Sequence, residues 1–354
     1  MNPKSAGVPR LYALTVTALE DKIVQRARVE VLNAIYETDV AGFSYGFRPG
    51  RSQHNALDAL YVGLLTKKVN WVLDLDIRGF FDSLDHEWLV RMLEHGIADR
   101  RIIRLIKRWL KAGVLESGEW TSVETGSPQG SGISPILANV FLHYSFDAWI
   151  HQWRQWHARG QIVVIRYADD VIAGAQYESD ARKLLAALKE RLTKFGLALN
   201  EDKTRLIEFG RFAAQRRAQA GLRRPETFNF LGFTHYCGVT RSGRFMVKRK
   251  TQATRMARKL TELRAELRRR WHAKVPEQHA WLSQVLSGHY RYYGVIYNAN
   301  ALSQFYQLVK RMWFKALQRR SQKSRLNWKQ FDRLQTVLPL PRPMIHQAWH
   351  GAAG

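Results

Sequence analysis

Two adjacent aspartates at the tip of a short apolar hairpin are the first residues of this sequence that could do chemistry. In Tyr167-Ala168-Asp169-Asp170 the acidic pair lies between two β-branched runs, which predict two strands joined by a tight turn. Aspartate is also a common turn residue, because its side chain bonds nearby backbone, so an ordinary surface turn is the alternative. In so basic a chain, carboxylates held at a strand tip favour a divalent cation, and Mg²⁺ prefers such oxygen ligands.

A second apolar run could supply a partner for this acidic pair. Residues 71–77 are broken only by Asp74 and Asp76 and predict a buried strand. If the strands are neighbours, Asp76 and Asp169 meet, and two unpaired carboxylates are costly unless a cation relieves their desolvation and repulsion. Two metal ions would serve in-line attack on a phosphorus centre. Because strand side chains alternate, we expect Asp169 to face Asp76 directly and Asp170 to have a lesser or structural part.

Charge and composition indicate a polyanionic partner. The 354 residues include 56 Lys and Arg against 30 Asp and Glu, a formal charge of +26, which is typical of proteins that bind nucleic acid. The chain has 12 Trp and 13 Tyr, several of them next to Arg, as in residues 289–293, where bases could stack while cations contact phosphates. For any single ring, a place in the core is the simpler explanation.

Other features of the sequence indicate the cellular compartment. No run of about 18 apolar residues is present to span a bilayer, so no membrane partner is expected. Residues 1–10 lack the apolar stretch of a signal peptide. Cys237 is the single cysteine and cannot form an internal disulfide. We therefore expect a reducing, cytoplasmic setting in a bacterium, in association with nucleic acid.

Apolar periodicity predicts a mixed α+β first part and a helical second part. In the first part, helices are expected over residues 20–36, 52–65, 86–95, 99–111, 134–149 and 179–195, and strands over 71–77, 163–166, 171–174, 204–209 and 228–236. Ser52 and Ser134 are expected to cap their helices, and Gly196 to end the helix over 179–195. The first helix has Ile23, Val24, Ala27, Val31 and Ile35 on one apolar face. After about residue 247, helices over 250–270, 277–293 and 301–320 predict a small bundle without further strands, and the tail is partly irregular.

Five motifs occur in a fixed order along the chain: DIRGFFD at 76–82, SPQG at 127–130 with SP at 134–135, YADD at 167–170, NEDKT at 200–204 and FLGF at 230–233. Together they resemble the reverse transcriptase family, and most closely its bacterial group II intron-type members. Residues 43–52 resemble the fingers segment of these enzymes, and residues 288–294 their thumb or maturase segment. The resemblance covers nearly the whole chain, and several motifs in order are far more specific than any one of them.

This resemblance implies an α+β right-hand polymerase fold with an antiparallel palm sheet and a C-terminal helical thumb or maturase bundle. The implied domains are partial fingers at 1–70, the palm with some fingers elements at 71–246, the thumb at 247–320 and a tail at 321–354. The implied activity is RNA-directed DNA synthesis, in which dNTPs are added to the 3′-hydroxyl of a DNA or RNA primer on an RNA template. The same chain would bind intron RNA and assist its splicing.

The resemblance also implies a metal centre. Carried over by position, Asp76, the carbonyl of Ile77, Asp169 and Asp170 would hold two Mg²⁺ ions, for which Mn²⁺ could substitute. Lys203 would act near the pyrophosphate leaving group as a cation or proton donor. The alternative for Lys203 is a solvated side chain at the start of a strand.

Three further residues would contact the incoming nucleotide or the template. Phe81 would lie below the sugar and exclude a 2′-hydroxyl, and its alternative is a core aromatic beside Phe80. Arg48 and Arg51 would contact template or triphosphate, because a planar guanidinium holds phosphate bidentately, and their alternative is a solvated basic loop.

Two loops would lie against the nucleic acid. The first would contact the templating base pair and includes Gln129, which also belongs to the nucleotide site, with Pro128 and Gly130. The second would hold the primer end and comprises Phe230, Leu231 and Gly232. The glycines would let backbone approach the duplex closely.

Two departures from the family pattern are evident in the sequence. The N-terminal extension and the first fingers block are missing, so a truncated fingers region is expected, and no His- and Cys-bearing endonuclease module follows the thumb. One alternative is therefore a catalytically weak, RNA-binding splicing cofactor. Another is a host-adapted, defence-associated reverse transcriptase.

Overall fold

The computed structural model describes residues 18–111, 114–116, 119–121, 125–126, 131–320 and 326–347. The chain divides into two compact units, Met1–Leu222 and Arg223–Gly354. Both combine helices with antiparallel strands, which confirms the predicted α+β class. The predicted division into fingers, palm and thumb stays a prediction. Pro128, Gln129 and Gly130 lie outside the described residues.

The first unit contains eight described helices, six described strands and two short helical segments of other types. The helices are α1 (Leu19–Tyr36), α2 (Gln53–Thr66), α3 (His86–Gly96), α4 (Arg100–Lys111), α5 (Ser134–Leu142), α6 (Ala148–Trp156), α7 (Glu178–Thr193) and α8 (Ala213–Gln219). The strands are β1 (Trp71–Asp76), β2 (Val114–Glu116), β3 (Glu119–Thr121), β4 (Ile162–Tyr167), β5 (Asp170–Ala175) and β6 (Arg205–Glu208). A 3₁₀ turn spans Phe80–Asp82 and a π-helical segment spans His143–Asp147.

A four-stranded antiparallel sheet in the order β4-β5-β1-β6 forms the centre of this unit. Along β1, Leu73 and Leu75 point to one face, where they join a hydrophobic core with residues of α3, α4, α5 and α7. The opposite face is covered at one end by α2, since a Cβ on Gly174 would touch Leu64 of that helix. The other end of this face carries acidic side chains, because residues of β1 alternate between the two faces.

The predicted helices form, but α1 turns a different face to the core than its apolar pattern indicated. Ile23, Val24 and Val31 are 62%, 40% and 42% exposed, whereas Leu32 and Tyr36 are buried. Gln25 is also buried, because its side-chain oxygen accepts hydrogen bonds from the hydroxyl of Ser131 and the backbone N–H of Gly132. Specific hydrogen bonds and two large residues thus outweigh the apolar stripe in setting the orientation of α1.

Local signals set the ends of other helices as predicted. Ser52 caps α2, and its hydroxyl accepts from the N–H of Asn55 while the Asn55 side chain accepts from the N–H of Ser52. Gly196, with φ of 72°, follows α7. The helix over 134–149 departs from its prediction. It continues to Trp156, and Ser134 is its first residue and not its cap, because the N-cap is Ile133.

The second unit has a three-stranded antiparallel sheet, β7 (Phe228–Phe230), β8 (Phe233–Val239) and β9 (Phe245–Thr251), followed by four described helices. These are α9 (Ala253–Arg269), α10 (Val275–Tyr293), α11 (Ala299–Gln318) and α12 (Trp328–Val337), and they share one hydrophobic core. The expectation of no strand beyond residue 247 is wrong, because β9 continues to Thr251. Its Lys and Arg residues mask the alternating pattern, and α12 was likewise not predicted.

Candidate active site

The hairpin and the strand with Asp76 are neighbours in the sheet, as the sequence suggested. β5 pairs with β1 in the register that sets Asp76 opposite Asp170, and with β4 in the register that sets Tyr167 opposite Asp170. The cross-strand partner of Asp76 is therefore Asp170 and not Asp169, which differs from the predicted facing. The reason is that β5 begins at Asp170, so that Asp169 belongs to the two-residue turn and not to the strand.

The carboxylate of the turn residue Asp169 nevertheless interacts electrostatically with the carboxylate of Asp76. Burial raises the pKa of the Asp169 carboxyl, a hydrogen bond from its own backbone lowers it, repulsion from Asp76 raises it, and Lys203 lowers it. Ala168, just before it, has φ of 55°, a left-handed conformation that is uncommon for alanine. The structure thus brings three carboxylates from two segments far apart in sequence to one edge of the sheet.

Lys203 is the cation beside Asp76. Its Nζ lies 3.3 Å from Oδ2 and 3.4 Å from Oδ1 of Asp76, and its side chain is 66% exposed. The backbone N–H of Asn200 donates to the carbonyl of Asp76, and the N–H groups of Lys203 and Thr204 donate to the carbonyl of Asn200. This turn fixes the lysine beside the carboxylate while leaving its side chain open to a ligand.

Ile77 is buried and forms an isolated antiparallel bridge with Leu199. The bonds that flank this bridge run from Asn200 N–H to the Asp76 carbonyl and from Arg78 N–H to the Ala198 carbonyl. Ile77 is therefore in a non-hydrogen-bonded pair, in which peptide groups point away from the partner strand. Its carbonyl is directed to the opposite side from Leu199, which is the side of β5.

Asp74 is a member of this acidic edge that sequence reasoning did not single out. It lies opposite Ile172 on β5 and Arg205 on β6, on the same face as Asp76. Burial raises its pKa from 3.8 to about 6, attraction to Arg205 opposes this, and Asp170 and Asp76 add to it. The two-residue spacing of Asp74 and Asp76 was the available signal, because such residues share one face of a strand.

Arg48 is not presented to a nucleotide in this structure. The residue is 7% exposed, and its guanidinium bonds the carboxylate and carbonyl of Glu37 and the carbonyls of Ala41 and Ser44. These contacts occupy all five N–H groups that an arginine has. Arg48 therefore braces its own loop, where sequence reasoning expected phosphate contact.

Arg51 and Phe81 are more accessible to a substrate than Arg48 is. Arg51 uses Nη1 for the carbonyls of Gly42 and Ser44 and lies over the ring of Tyr45, and it is only half-buried. Phe81 is half-buried in the 3₁₀ turn that follows Asp76, while its neighbour Phe80 is 2% exposed and in the core. Phe81 packs part of its side chain against the hydrophobic core beside Phe80, and the rest of it is accessible.

Gly46 connects the loop that contains Arg48 and Arg51 to the acidic hairpin. A Cβ on Gly46 would lie 2.3 Å from the backbone nitrogen of Ala168, a distance that real Cβ atoms do not show. Only glycine lets the two backbones approach this closely. The loop is evident in the sequence as residues 43–52, but its contact with the turn is not.

In the second unit, the predicted primer-holding residues form a tight hairpin turn. Leu231 and Gly232 connect β7 to β8 with φ of 47° and 79°, the positive values of a type I′ turn. The hydroxyl of Tyr292 on α10 donates to the carbonyl of Leu231 at 2.9 Å, and Tyr292 stacks on Phe233. The hairpin is therefore anchored on α10.

Comparisons with known proteins identify the family. Residues 2–235 match the model of the family described as reverse transcriptase (RNA-dependent DNA polymerase). The chain belongs to the reverse transcriptase family. This membership agrees with the α+β class that the motifs predicted and that the helices and antiparallel sheets of the structure show.

Two curated relatives and one solved structure illustrate the relationship. Protein YkfC of Escherichia coli is 32% identical over 238 residues, which are 58% of this chain and 61% of that protein. The group II intron-encoded protein LtrA of Lactococcus lactis is 36% identical over 137 residues, 38% of this chain and 22% of that protein. Apo telomerase from Candida tropicalis matches with a TM-score of 0.49 and 14% identity over 89% of this chain and 54% of that chain. The chain thus spans only part of the length of these relatives.

The acidic edge fits the divalent metal ions that reverse transcriptases generally use. Its donors are carboxylate oxygens. The pKa of the half-buried Asp169 is raised by desolvation and also by repulsion from Asp76, which a cation would relieve. Among the described residues no three His, Cys, Asp or Glu side chains form a complete metal cage. Mg²⁺ does not need one, since one or two carboxylates with water and substrate phosphates suffice.

Proposed function

We propose that this protein is an RNA-directed DNA polymerase of the group II intron type. The observation that carries the proposal is that Asp76 and Asp169, from separate segments of a reverse transcriptase family chain, interact at one edge of the central sheet, with Asp170 opposite Asp76. Its substrates would be an RNA template, a DNA or RNA primer and dNTPs. Nucleotidyl transfer would add each nucleotide to the primer 3′-hydroxyl.

The residues that would hold two Mg²⁺ ions, or Mn²⁺ in their place, are Asp76, Asp169 and Asp170 with the carbonyl of Ile77. When bound, the ions supply charge neutralisation at the phosphate and a lowered pKa at the attacking hydroxyl. Lys203, which is exposed and beside Asp76, would stabilise the leaving pyrophosphate by its charge or donate a proton to it.

Other residues would select and hold the substrates. Phe81 would lie against the sugar of the incoming nucleotide, where a ring leaves no space and no hydrogen-bond partner for a 2′-hydroxyl. Arg51 would contact the triphosphate or the template with the donors that its loop carbonyls do not use. Arg48 would act indirectly, by keeping that loop in shape.

The residues proposed for the template and for the primer are assigned on different grounds. Pro128, Gln129 and Gly130 are assigned to the templating pair by their motif alone. Phe230, Leu231 and Gly232 are assigned to the primer end by their motif and by the tight turn that Tyr292 anchors. In this proposal the helices of the second unit are the thumb.

Primer extension on an RNA template tests the proposal. Native protein should extend a primer with dNTPs and Mg²⁺, and Asp169→Ala should lower the rate by at least about 1000-fold, as expected for loss of a residue that acts on the transition state. Asp39→Ala removes an exposed carboxylate from the same unit and should retain activity. Equal extension by native protein and Asp169→Ala would refute polymerisation at this site.

Binding of intron RNA, with assistance to splicing, is the second candidate function. A groove of about 390 Å³ between α9 and α10 is lined by Arg255, Arg258, Lys259 and Tyr292. Cations beside an aromatic ring are typical of surfaces that contact phosphates and stack bases. A protein that used only this surface would be the catalytically weak splicing cofactor.

RNA binding at several salt concentrations separates the two functions. Asp169→Ala should bind RNA as native protein does, because the acidic edge and the groove are different sites. Arg255→Gln with Lys259→Gln should weaken binding and reduce the salt dependence by about one unit of slope for each phosphate that is no longer neutralised. Arg311→Gln, on the exposed surface of α11, is the matched control. Unchanged affinity and slope in the double variant would refute the groove.

A further inference from the structure

Arg166 is a fully buried arginine in β4, two residues before the turn residue Ala168. Its side chain and that of Asp147 are both 0% exposed, and Nε of the arginine donates to Oδ1 of the aspartate at 2.7 Å while Nη2 donates to Oδ2. A buried ion pair is a weak source of stability, because desolvation of two charges offsets their attraction. The remaining hydrogen bonds of Arg166 indicate what else the pair does.

The other end of the guanidinium reaches the turn itself. Nη1 of Arg166 donates to the carbonyl of Ala168 at 3.1 Å and to Oδ1 of Asn139 at 3.2 Å. Ala168 is the turn residue with the left-handed φ, and it directly precedes Asp169. The ion pair therefore ends in a hydrogen bond to the backbone that carries the carboxylate.

Asn139 connects the same cluster to the loop that packs on the turn. Its Nδ2 donates to the carbonyl of Gly46 at 2.7 Å. The backbone of Arg166 also bonds this loop, since its N–H donates to the carbonyl of Phe43 and its carbonyl accepts from the N–H of Tyr45, both at 2.9 Å. The turn is thus held from its base by side chains and from its outer side by the loop.

A π-helical segment presents the acidic partner. The helix that runs from Ser134 to Trp156 changes to π geometry over His143–Asp147, and Ala148 N–H donates to the carbonyl of His143. At 3.6 residues per turn, Asn139 and Asp147 would point roughly 80° apart, and a π segment that adds one residue to a turn reduces this to about 20°. The π segment therefore turns both side chains towards Arg166.

The π segment is itself held in place. The guanidinium of Arg191 on α7 donates to the carbonyls of Tyr144 and Ser145 at 2.9 and 3.0 Å. These are carbonyls of the irregular turn, and a charged donor from a neighbouring helix satisfies them. π-helical segments inside α-helices frequently occur at functional sites. Because this one is also stabilised by a neighbouring helix, we infer a specific role for Asp147.

We propose that Asp147, Arg166 and Asn139 form a positioning cluster that sets the place of Asp169 relative to Asp76. The inference rests on the proposed polymerase function. The three residues do not touch substrate; they act through the backbone of the turn. A displacement of about 1 Å at a reacting group can cost roughly 100-fold in rate, so a loss of kcat of that size is expected when the cluster is broken.

The test compares positioning with a purely structural role. Asp147→Asn leaves the arginine buried without its counter-charge and can fail to fold, so the double variant Asp147→Leu with Arg166→Met is the second arm, because apolar replacement of a buried pair often preserves stability. Ile150→Ala, in the hydrophobic core on the same helix, is the control that lowers stability without changing the cluster. The measurements are melting temperature, single-turnover primer extension and hydrogen exchange of residues 166–170.

The double variant should melt near the native temperature, extend primers about 100-fold more slowly, and exchange the amides of 166–170 at least about 10-fold faster than native protein. Ile150→Ala should melt earlier and keep native extension and hairpin exchange at a temperature where it is folded. Native extension or native hairpin exchange in a folded double variant would overturn the inference. If native protein does not extend primers, the proposed polymerase function is refuted. The hydrogen exchange of residues 166–170 in the double variant then still tests whether the cluster holds the turn in place.

Discussion

Replacing Asp74 with asparagine should stabilise the metal-free protein at neutral pH. Asp74 lies on the acidic edge beside Asp76 and Asp170, and burial raises its pKa from 3.8 to about 6. Such a shift means that the folded protein holds a proton on Asp74 more tightly than the unfolded chain does. An uncharged isostere removes the cost of ionising this group in the fold.

The sign and size follow from the two pKa values. Between pH 3.8 and about 6, the folded protein binds more protons at Asp74 than the unfolded chain does. The contribution of Asp74 to the free energy of unfolding is therefore complete below pH 3.8 and is lost as the pH rises through about 6. About two pKa units correspond to roughly 3 kcal/mol at pH 7.5, and the same relation leaves roughly 1 kcal/mol at pH 4.5. Asp74→Asn should therefore gain most at neutral pH and much less in acid.

Urea unfolding in the presence of EDTA measures the difference at both pH values. Asp39→Asn, at an exposed position of the same unit, is the control and should change the free energy of unfolding by less than about 0.5 kcal/mol. Asp74→Asn that is equally or less stable than native protein at pH 7.5, or whose gain does not shrink in acid, would contradict the reasoning.

Three further changes test other parts of the site. Gly46→Ala should lower kcat by roughly 10- to 100-fold, because its Cβ would lie 2.3 Å from the backbone nitrogen of Ala168. The control Gly42→Ala meets no described atom within 4 Å and should match native kcat. Similar rates for the two variants would refute the close approach. Phe81→Val should raise the efficiency of rNTP relative to dNTP incorporation by at least about 10-fold, and an unchanged ratio in competition assays would exclude Phe81 from sugar selection. Tyr292→Phe should cost about 1 kcal/mol in urea unfolding by loss of its bond to the hairpin turn, and native stability would show that this bond is not formed.

Sequence patterns predicted the parts of this fold that depend on local signals. The cap at Ser52, the glycine after α7 and the two strands around the acidic turn all follow from residues within a few positions of one another. The neighbouring position of Asp76 needed only that two apolar strands should share a sheet. The cap, the glycine and the acidic turn are each satisfied within one helix or hairpin, whereas the pairing of β1 with β5 joins separate segments of the chain.

Features that depend on contacts across the fold were not predictable in this way. The buried face of α1 follows from the hydrogen bonds of Gln25 to a distant loop, and the burial of Arg48 follows from Glu37 and the carbonyls around it. The pairing of Asp170, rather than Asp169, with Asp76 depends on where the turn begins, and a shift of one residue exchanges the two faces. In β9, the alternation was hidden by Lys248 and Lys250, which lie over the rings of Tyr297 and Tyr236.

Single-turnover primer extension by a double-mutant cycle at Asp76 and Asp169 tests the central claim most directly. If the two carboxylates form one centre, Asp76→Asn and Asp169→Asn should each lower the rate by at least about 1000-fold, and the double variant should be about as slow as either single one, because residues that act as a unit are strongly non-additive. A single variant within about 10-fold of native protein, or losses that multiply in the double variant, would contradict a shared catalytic centre.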